Sequence, residues 1–446
     1  MSGRLTVTKT GVSVRQSSAG GWRRSGTLGK GRLSKFTATV IRAGYPFSVF
    51  RYRDFSYVWA STSLVTMGTQ MEALVLGWFI LTLTDSPFLV GAISAARMAL
   101  NIMALFAGVI ADRVPRHKIL AAVEFLMAAF AGVMLVLILT GLLETWHVFA
   151  IAVVAGMVRV FQMPAAQAMV ADTLPEERIA NGAALNNLGR NIAMLLGPLA
   201  GGILFNTYGP KGAFTAIAVL YLVSGWVALY IRSSSVPVQD GKKPEPGSVL
   251  RDVIAGLKYV KGEQVLWGTL VLALAFESTG WTFHTTLMPI FARDVLYTDS
   301  VGLGWLLFAF GIGAVGASLG WAMFRDLRHV GKLMIGSVVV WHASILVFSA
   351  TQSFYLSMAI LTVTGAGFAS TQVFLLSALL GTSKAEFRGR VMSLRSLAIY
   401  AFAFGSMTSG AMAGLWSAPK AGYVVGAMGI VMALLLAVVA PKLRRL

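Results

Sequence analysis

The stretch GVIADRVPRHK, residues 108–118, is a short charged segment between two long apolar runs. Residues 88–107 before it contain one charged side chain, Arg97, and residues 119–140 after it contain only Glu124. Each run has about the 20 residues that a helix needs to cross a bilayer. The pattern therefore predicts two transmembrane helices joined by a tight loop at the membrane surface.

The composition of the whole chain supports lipid as its solvent. Of the 446 residues 56% are hydrophobic and 12% are charged, whereas a soluble domain has about a quarter charged residues. The absence of cysteine excludes disulfides and thiolate metal sites. The five histidines lack metal-ligand spacing and no convergent catalytic set is present, so we expect no metal, no cofactor and no enzyme.

Twelve stretches are long and apolar enough to span a membrane, which predicts an all-α integral membrane protein. We number these stretches as spans one to twelve in chain order: 55–83, 88–111, 118–141, 146–171, 180–205, 211–231, 264–291, 301–324, 332–350, 354–380, 388–416 and 420–440.

The distribution of basic residues predicts the orientation. With a cytoplasmic N-terminus, the inner loops and both tails hold 30 of the 37 Lys and Arg residues. The outer loops hold three of them: Lys211, Arg293 and Lys420. By the positive-inside rule both termini are expected on the cytoplasmic side of the membrane, which we take to be a bacterial inner membrane. The net charge of +19 then reflects topology and contact with anionic lipid rather than nucleic acid.

Composition also divides the chain. Residues 1–53 carry eleven basic and no acidic residues, which is typical of a disordered cytoplasmic arm, although a transit peptide or an over-extended start has the same composition. Two six-helix bundles follow, at 54–231 and 264–446 with a short basic tail. The linker between them, 232–263, is rich in Pro, Gly and Ser and ends in an amphipathic stretch that predicts a helix at the inner surface.

The two halves echo one another. The segment PEERIANGAALNNLGRNIAMLLGPLAGG at 175–202 parallels KAEFRGRVMSLRSLAIYAFAFGSMTSG at 384–410. Repeated six-span halves are typical of secondary transporters, whose substrate site lies between the halves near the membrane midplane.

Several motifs resemble the major facilitator superfamily over residues 50–440. The loop 108–118 is similar to that family's signature between spans two and three, with Pro115 in place of a usual glycine. Arg159 and Gln162 resemble its mid-membrane motif in span four. Span five carries an antiporter-type motif at Gly197, Pro198, Gly201 and Gly202. The combination is most similar to the branch that contains macrolide-efflux pumps and an enterobactin exporter.

The resemblance implies two pseudo-symmetric bundles that export amphipathic, drug-like small molecules by proton antiport, as a monomer. A dedicated siderophore exporter is the alternative, because two basic residues near the middle of the membrane, Arg97 and Arg159, suit an anionic substrate. An uptake symporter or a non-transporting membrane scaffold is less well supported, since the antiporter-type motif and the midplane charges oppose them.

Ionisable residues deep in a bilayer are costly and mark candidate coupling sites. At 1.5 Å rise per residue, Glu72 lies about 25 Å above the inner face, Arg97 about 22 Å, and Arg159 and Glu277 about 20 Å. Similar heights allow the first three to meet, with Glu277 across the cavity. A static buried ion pair that orients helices is the alternative interpretation. Polar and aromatic candidates for the cavity wall are Gln70, Trp78, Asn101, Gln162, Trp281, His284 and Gln372.

By resemblance, the loop 108–118 forms a conformational latch at the inner face. Asp112 is expected to face the start of span eleven near Arg388 and Arg390, and Arg113 to reach Asp172 or Glu176. Arg116 and Lys118 are then left for lipid phosphate or for the positive-inside bias. The expected latch residues are Gly108, Asp112, Arg113, Arg116, Lys118, Asp172, Arg388 and Arg390.

Overall fold

A computed structural model describes residues 46–99, 114–232, 248–324, 329–398 and 400–446. These residues form helices and connecting turns and contain no strand, as predicted for a chain whose backbone must satisfy its own hydrogen bonds in lipid. Large apolar side chains on the outer surface are exposed, for example Val136 at 57% and Val438 at 71%. Lipid would cover such a surface.

Every predicted span contains a helix. The helices lie at Arg53–Thr84, Pro87–Ala96, Arg116–Thr140, Thr145–Arg159 with Gln162–Asp172, Ile179–Leu229, Gln264–Phe276 with Met288–Asp294, Ser300–Ala322, Val330–Ala350, Phe354–Thr382, Arg388–Leu397 with Tyr400–Leu415, and Ala418–Val439. Within the described residues nine helices are long and apolar enough to cross a membrane. This number is consistent with twelve spans for three reasons.

Spans five and six run together as Ile179–Leu229. The backbone breaks at Gly209, where φ is +66°, a conformation that glycine adopts without steric penalty. Pro210 follows and lacks the N–H of a regular helix. Span two is described only as far as residue 99, and span seven is interrupted by non-α turns.

Span seven changes its winding in the middle. Between Gln264–Phe276 and Met288–Asp294 the segments Glu277–Trp281 and Phe283–Leu287 are π-helical. Such wide turns are rare and often mark functional sites. Glycine and several threonines in the sequence STGWTFHTT favour this departure from α geometry.

The two bundles touch at the end that carries the turns at 85–86, 295–299 and 416–417, which we term the distal end. The other end, where span one begins and span twelve ends, is the terminal end. Glycines allow the distal contact: a Cβ on Gly91 of span two would overlap the carbonyl oxygen of Ser406 in span eleven. Ser300 of span eight donates a hydrogen bond to the carbonyl oxygen of Gly202 at 2.8 Å.

An ion pair reinforces the distal contact. Arg293, after span seven, places Nη2 2.7 Å from Oδ1 of Asp85, after span one. Arg293 Nη1 also donates to the carbonyl oxygen of Leu81 at 3.0 Å. Hydrogen bonding to Asp294 and the nearby Asp85 raise the pKa of Arg293, so the guanidinium stays charged.

The linker contains a helix at Ser248–Gly262, where the amphipathic pattern predicts one. Tyr259 stacks on Phe387 with ring centroids 4.2 Å apart, and its hydroxyl oxygen accepts a hydrogen bond from the backbone N–H of Lys384 at 3.1 Å. Ile254 and Leu257 remain exposed. The helix is therefore attached to the terminal end of span eleven.

Candidate functional site

A cavity of about 440 Å³ lies between the bundles, within the size range of drug-sized ligand sites. Spans one, two, four and five contribute one wall, and spans seven, eight, ten and eleven the other. Leu74, Pro198, Pro289 and Leu303 line it near the distal contacts. Its wall combines a charged cluster on the first bundle with aromatic rings on the second.

Glu72 is the centre of the charged cluster. Its carboxylate accepts a hydrogen bond from Arg159 Nη2 at 2.8 Å and from the Tyr221 hydroxyl at 2.5 Å. Arg97 Nη2 lies 3.7 Å from the other carboxylate oxygen. Glu72 is only 7% exposed, yet it lines the cavity together with both arginines. With all three groups ionised the cluster has one excess positive charge facing the cavity.

Small residues bring these side chains together. A Cβ on Gly156 would overlap the backbone carbonyl of Arg97, so the glycine lets spans two and four touch one turn before Arg159. A Cβ on Gly68 would lie 2.9 Å from the ring of Tyr221. Glycines one turn away from Glu72 and Arg159 thus set the distances in the cluster.

Glu277 belongs to a second, separate pair. Arg395 Nη2 lies 2.9 Å from its carboxylate and also donates to Oε1 of Gln372 at 3.3 Å. The guanidinium lies 5.3 Å from the centroid of the Phe276 ring, a cation–π distance. Gln372 lines the cavity, so this pair is linked to the cavity wall through its amide.

The wide turns of span seven present Trp281 and His284 to the cavity. Trp281 stacks on Phe368 with ring centroids 5.1 Å apart, and the ring centroids of His284 and Phe310 are 4.0 Å apart. Phe310 and Phe368 also line the cavity. Four rings from spans seven, eight and ten thus form an aromatic wall.

The structure brings together Glu72, Arg97 and Arg159 as their heights suggest. Of the predicted wall residues, it places Gln70, Trp281, His284 and Gln372 on the cavity. Trp78 is buried in the core and Gln162 is half-buried, and neither is on this wall. Asn101 lies outside the described residues.

Sequence reasoning missed Tyr221, Phe310, Phe368 and the partnership of Arg395 with Glu277. Tyr221 resembles an ordinary aromatic residue of an apolar span, and no signal in the sequence distinguishes it. The two phenylalanines have no distinguishing signal, since 26 phenylalanines are present.

The antiporter-type motif lies between span one and the second bundle. A Cβ on Gly197 would be 2.7 Å from the Cβ of Gln70, and one on Gly201 would be 3.1 Å from the Cα of Met71. The backbone oxygen of Pro198 faces Gly304, and Gly202 meets Ser300. The motif therefore keeps span five close to both span one and span eight.

Part of the expected latch is described. Arg116 Nη1 lies 2.6 Å from Oδ2 of Asp172, so Arg116 forms the ion pair that we expected of Arg113 and is not left for lipid. Its position at the first turn of span three brings it beside the end of span four. Lys118 and Arg388 are exposed, and Arg390 lies 5.3 Å from the Phe387 ring centroid. Gly108, Asp112 and Arg113 lie outside the described residues.

No group of three or more His, Asp or Glu residues within the described ranges is arranged to hold a metal ion.

Solved structures of transporters share this fold. The nucleoside transporter NupG matches with a TM-score of 0.71 at 13% identity, covering 86% of this chain and 99% of that structure. A bacterial homologue of the human lysosomal transporter Spinster, in an inward-facing and unoccupied conformation, matches with a TM-score of 0.61 at 14% identity, covering 88% of this chain and 96% of that structure. At these identities the likeness establishes the fold alone.

Sequence relatives are transporters of several bacteria. An MFS-type transporter of Bacillus subtilis, YkuC, is 28% identical over 44% of this chain and 45% of its own length. The staphyloferrin A transporter of Staphylococcus aureus is 22% identical over 62% and 68%. The multidrug efflux pump Tap of Mycolicibacterium fortuitum is 25% identical over 72% and 79%. The match therefore spans less than half of the Bacillus protein and about two thirds or more of the other two.

The family comparison covers nearly the whole chain. The model described as transmembrane secretion effector, a family of major facilitator transporters, matches residues 44–445. The helices, the two bundles and the cavity between them have the architecture of that superfamily. This chain belongs to the transmembrane secretion effector family, and it is a membrane transporter rather than an enzyme.

Proposed function

We propose that the protein is a secondary active transporter that exports amphipathic, drug-like small molecules in exchange for protons by alternating access. The observation that carries this proposal is the cluster on the cavity wall, in which Glu72 is held between Arg159, Arg97 and the hydroxyl of Tyr221. Two relatives, a multidrug efflux pump and a staphyloferrin A transporter, have functions compatible with export of such compounds.

The cluster can couple a proton to a substrate because its partners compete for one carboxylate. Ionised Glu72 engages Arg159 in a charge-assisted hydrogen bond, which is strong at low exposure to water. Protonation of Glu72 removes that attraction and leaves two guanidiniums beside the cavity. Substrate and proton therefore have opposite effects on the Glu72 carboxylate, as antiport requires.

The arrangement of the bundles supports an inward-facing state. They meet at the distal end through Gly91, Gly202 and the Arg293–Asp85 pair. The cavity continues on the terminal side of these contacts, where Asn191 and Ser318 line it. If the termini are cytoplasmic, the cavity is closed to the outside.

A dedicated siderophore exporter is the second candidate. The specific observation in its favour is the excess positive charge of the Glu72 cluster, which suits a carboxylate or catecholate substrate. The relationship to a staphyloferrin A transporter agrees with it. An uptake symporter ranks third, because the antiporter-type motif is present in span five.

Everted membrane vesicles that contain the overproduced protein test the proposal. The vesicles are energised to an acid interior, monitored with a pH-sensitive dye, and challenged in turn with macrolides, lipophilic dyes and siderophores. Antiport predicts that a substrate releases protons from the vesicles, and vesicles without the protein provide the control. If no compound of the panel moves the gradient, proton-coupled export of these classes is contradicted.

We further propose that both termini lie in the cytoplasm of a bacterial inner membrane, that the basic loops contact anionic lipid, and that the transporter acts as a monomer. Reporter fusions after Lys118, at Lys242 and at the C-terminus should be active in the cytoplasm. A fusion at Lys211, two residues after the break at Gly209, should be active only outside the membrane. A fusion at Lys242 that reads external would contradict the division into six plus six spans.

A further inference from the structure

His284 carries an unusual polar atom. Its side chain lines the cavity, and its Nδ1 is buried with no hydrogen-bond partner among the described residues. A buried donor or acceptor without a partner is costly, and among the described residues that line the cavity His284 alone carries such an atom. His284 lies in the π-helical segment Phe283–Leu287, where span seven departs from regular winding.

The neighbour of His284 assigns the position of its proton. Trp341 directs its indole N–H at Nε2 of His284, with 3.3 Å between the nitrogens. An indole nitrogen can only donate, so Nε2 must accept and carries no hydrogen. This contact opposes both the imidazolium and the Nε2–H tautomer. The proton of neutral His284 is therefore on Nδ1, which is a donor without an acceptor.

Trp341 is rigidly placed. It is fully buried, and one glycine makes room for its ring and another for its backbone. A Cβ on Gly280 would lie 2.6 Å from the indole, and a Cβ on Gly367 would lie 3.0 Å from the Cα of Trp341. Because span ten packs on the backbone of Trp341 and span seven packs on its indole, the indole is held in place and fixes the tautomer of His284 in the resting cavity.

The surroundings of the donor are flat and uncharged. Phe310 lies over the imidazole, and Trp281 stacks on Phe368 beside it. Both phenylalanines border open space and can give way to a ligand, whereas Trp341 cannot. The Glu72 cluster belongs to the opposite bundle. A group that reaches Nδ1 therefore has to be planar, largely apolar and a hydrogen-bond acceptor.

We propose that His284 is the specificity-determining donor of the cavity, and that it recognises planar aromatic compounds through an uncharged oxygen acceptor such as a ketone or an ester carbonyl. This inference rests on the proposed function, because it names the chemical class that the same cavity takes. Stacking between the rings provides most of the contact area, and the Nδ1–H selects for the acceptor.

Two fluorescent probes that differ in one acceptor test this assignment. The first is 6-propionyl-2-(dimethylamino)naphthalene, and the second is 6-propyl-2-(dimethylamino)naphthalene, in which a methylene group replaces the ketone carbonyl. Binding is measured with the purified full-length protein in detergent, without a proton gradient. We expect the wild type to prefer the ketone by about fivefold, which is the magnitude of one neutral hydrogen bond.

His284→Phe keeps a ring on the wall but removes the donor. It should abolish the preference, while the affinity for the ketone-free probe stays within about twofold of wild type, since stacking is retained. His284→Gln, which can accept from Trp341 and donate to a ligand, should keep part of the preference. Thr285→Val is the matched control, because Thr285 lines the same wall and its hydroxyl donates to the backbone oxygen of Trp281.

Equal loss of both probes in His284→Phe would show a packing role and overturn the assignment. So would a wild type that binds neither probe or shows no preference for the ketone. The outcome is independent of proton coupling: a protein that moves protons in vesicles but lacks the preference keeps the proposed function and loses this inference. If His284→Phe does not fold, the preference of His284→Gln relative to Thr285→Val decides.

Discussion

Glu72→Gln is expected to abolish gradient-driven export while leaving substrate binding measurable. The amide keeps the shape of the side chain and can still accept from Arg159 and Tyr221, but it cannot take up and release a proton. Export driven by a gradient should fall to background in everted vesicles. Exchange of substrate down its own gradient should survive, because that process needs no net proton movement.

Two variants separate coupling from structure. Tyr221→Phe removes the hydrogen bond of 2.5 Å but retains the carboxylate, so it should pump at a reduced rate with a changed pH dependence. Glu277→Gln alters the pair with Arg395 and leaves Glu72 intact. If Glu72→Gln and Glu277→Gln each pump at the wild-type rate, neither carboxylate couples protons, and the interpretation of the clusters as static ion pairs gains support.

Gly91→Ala is expected to disfavour the closed distal end. The added Cβ would overlap the carbonyl oxygen of Ser406 and lie 3.3 Å from the Cα of Gly410, so backbone has to move rather than a flexible side chain. Overpacking of this kind costs about 1–3 kcal/mol, and such a cost shifts the equilibrium between the closed and the open distal end by about five- to 160-fold. Transport should fall accordingly, with insertion and abundance close to wild type.

The accessibility of an engineered cysteine measures this shift, and the chain contains no cysteine of its own. Leu303→Cys places the label in the cavity near the distal contacts, where the native residue is fully buried. A membrane-impermeant maleimide added on the distal side should react faster when Gly91→Ala is present.

Gly414→Ala is the matched control for Gly91→Ala. It lies on span eleven in the same interface, but its added Cβ would make only an ordinary contact of 3.9 Å with Pro87. Equal labelling and equal transport in Gly91→Ala and Gly414→Ala would show that the close approach of spans two and eleven does not control access.

The fold could be predicted from the sequence because a helix that crosses a bilayer needs about 20 mostly apolar residues. Apolar length, the repeated halves and the loop 108–118 were sufficient for the architecture. Hydropathy placed the break between spans five and six at 206–210, but it could not give the conformation of Gly209 or the winding of span seven, since both depend on backbone angles rather than on polarity. Those features required the structure.

The site could be predicted in part. The rise per residue gives the height of a side chain, and it placed Glu72, Arg97 and Arg159 at one level. It does not give the direction in which a helix faces or how far a long side chain reaches, so it could not pair Arg395 with Glu277. Aromatic residues such as Phe310 and Phe368 are common in every span, and only packing distinguishes those on the cavity.

The π-helical segment of span seven has a mechanical consequence. Consecutive residues of an α-helix are separated by about 100° around the axis. Each extra residue held in a wide turn therefore changes the direction in which the later side chains of the helix face. His284 lies within the segment, and Arg293, which pairs with Asp85, lies beyond it. Rewinding one wide turn into α geometry would rotate Arg293 away from Asp85 while also moving His284. A change of winding at mid-membrane would thus reach the distal closure as a rotation of the later part of span seven about its axis.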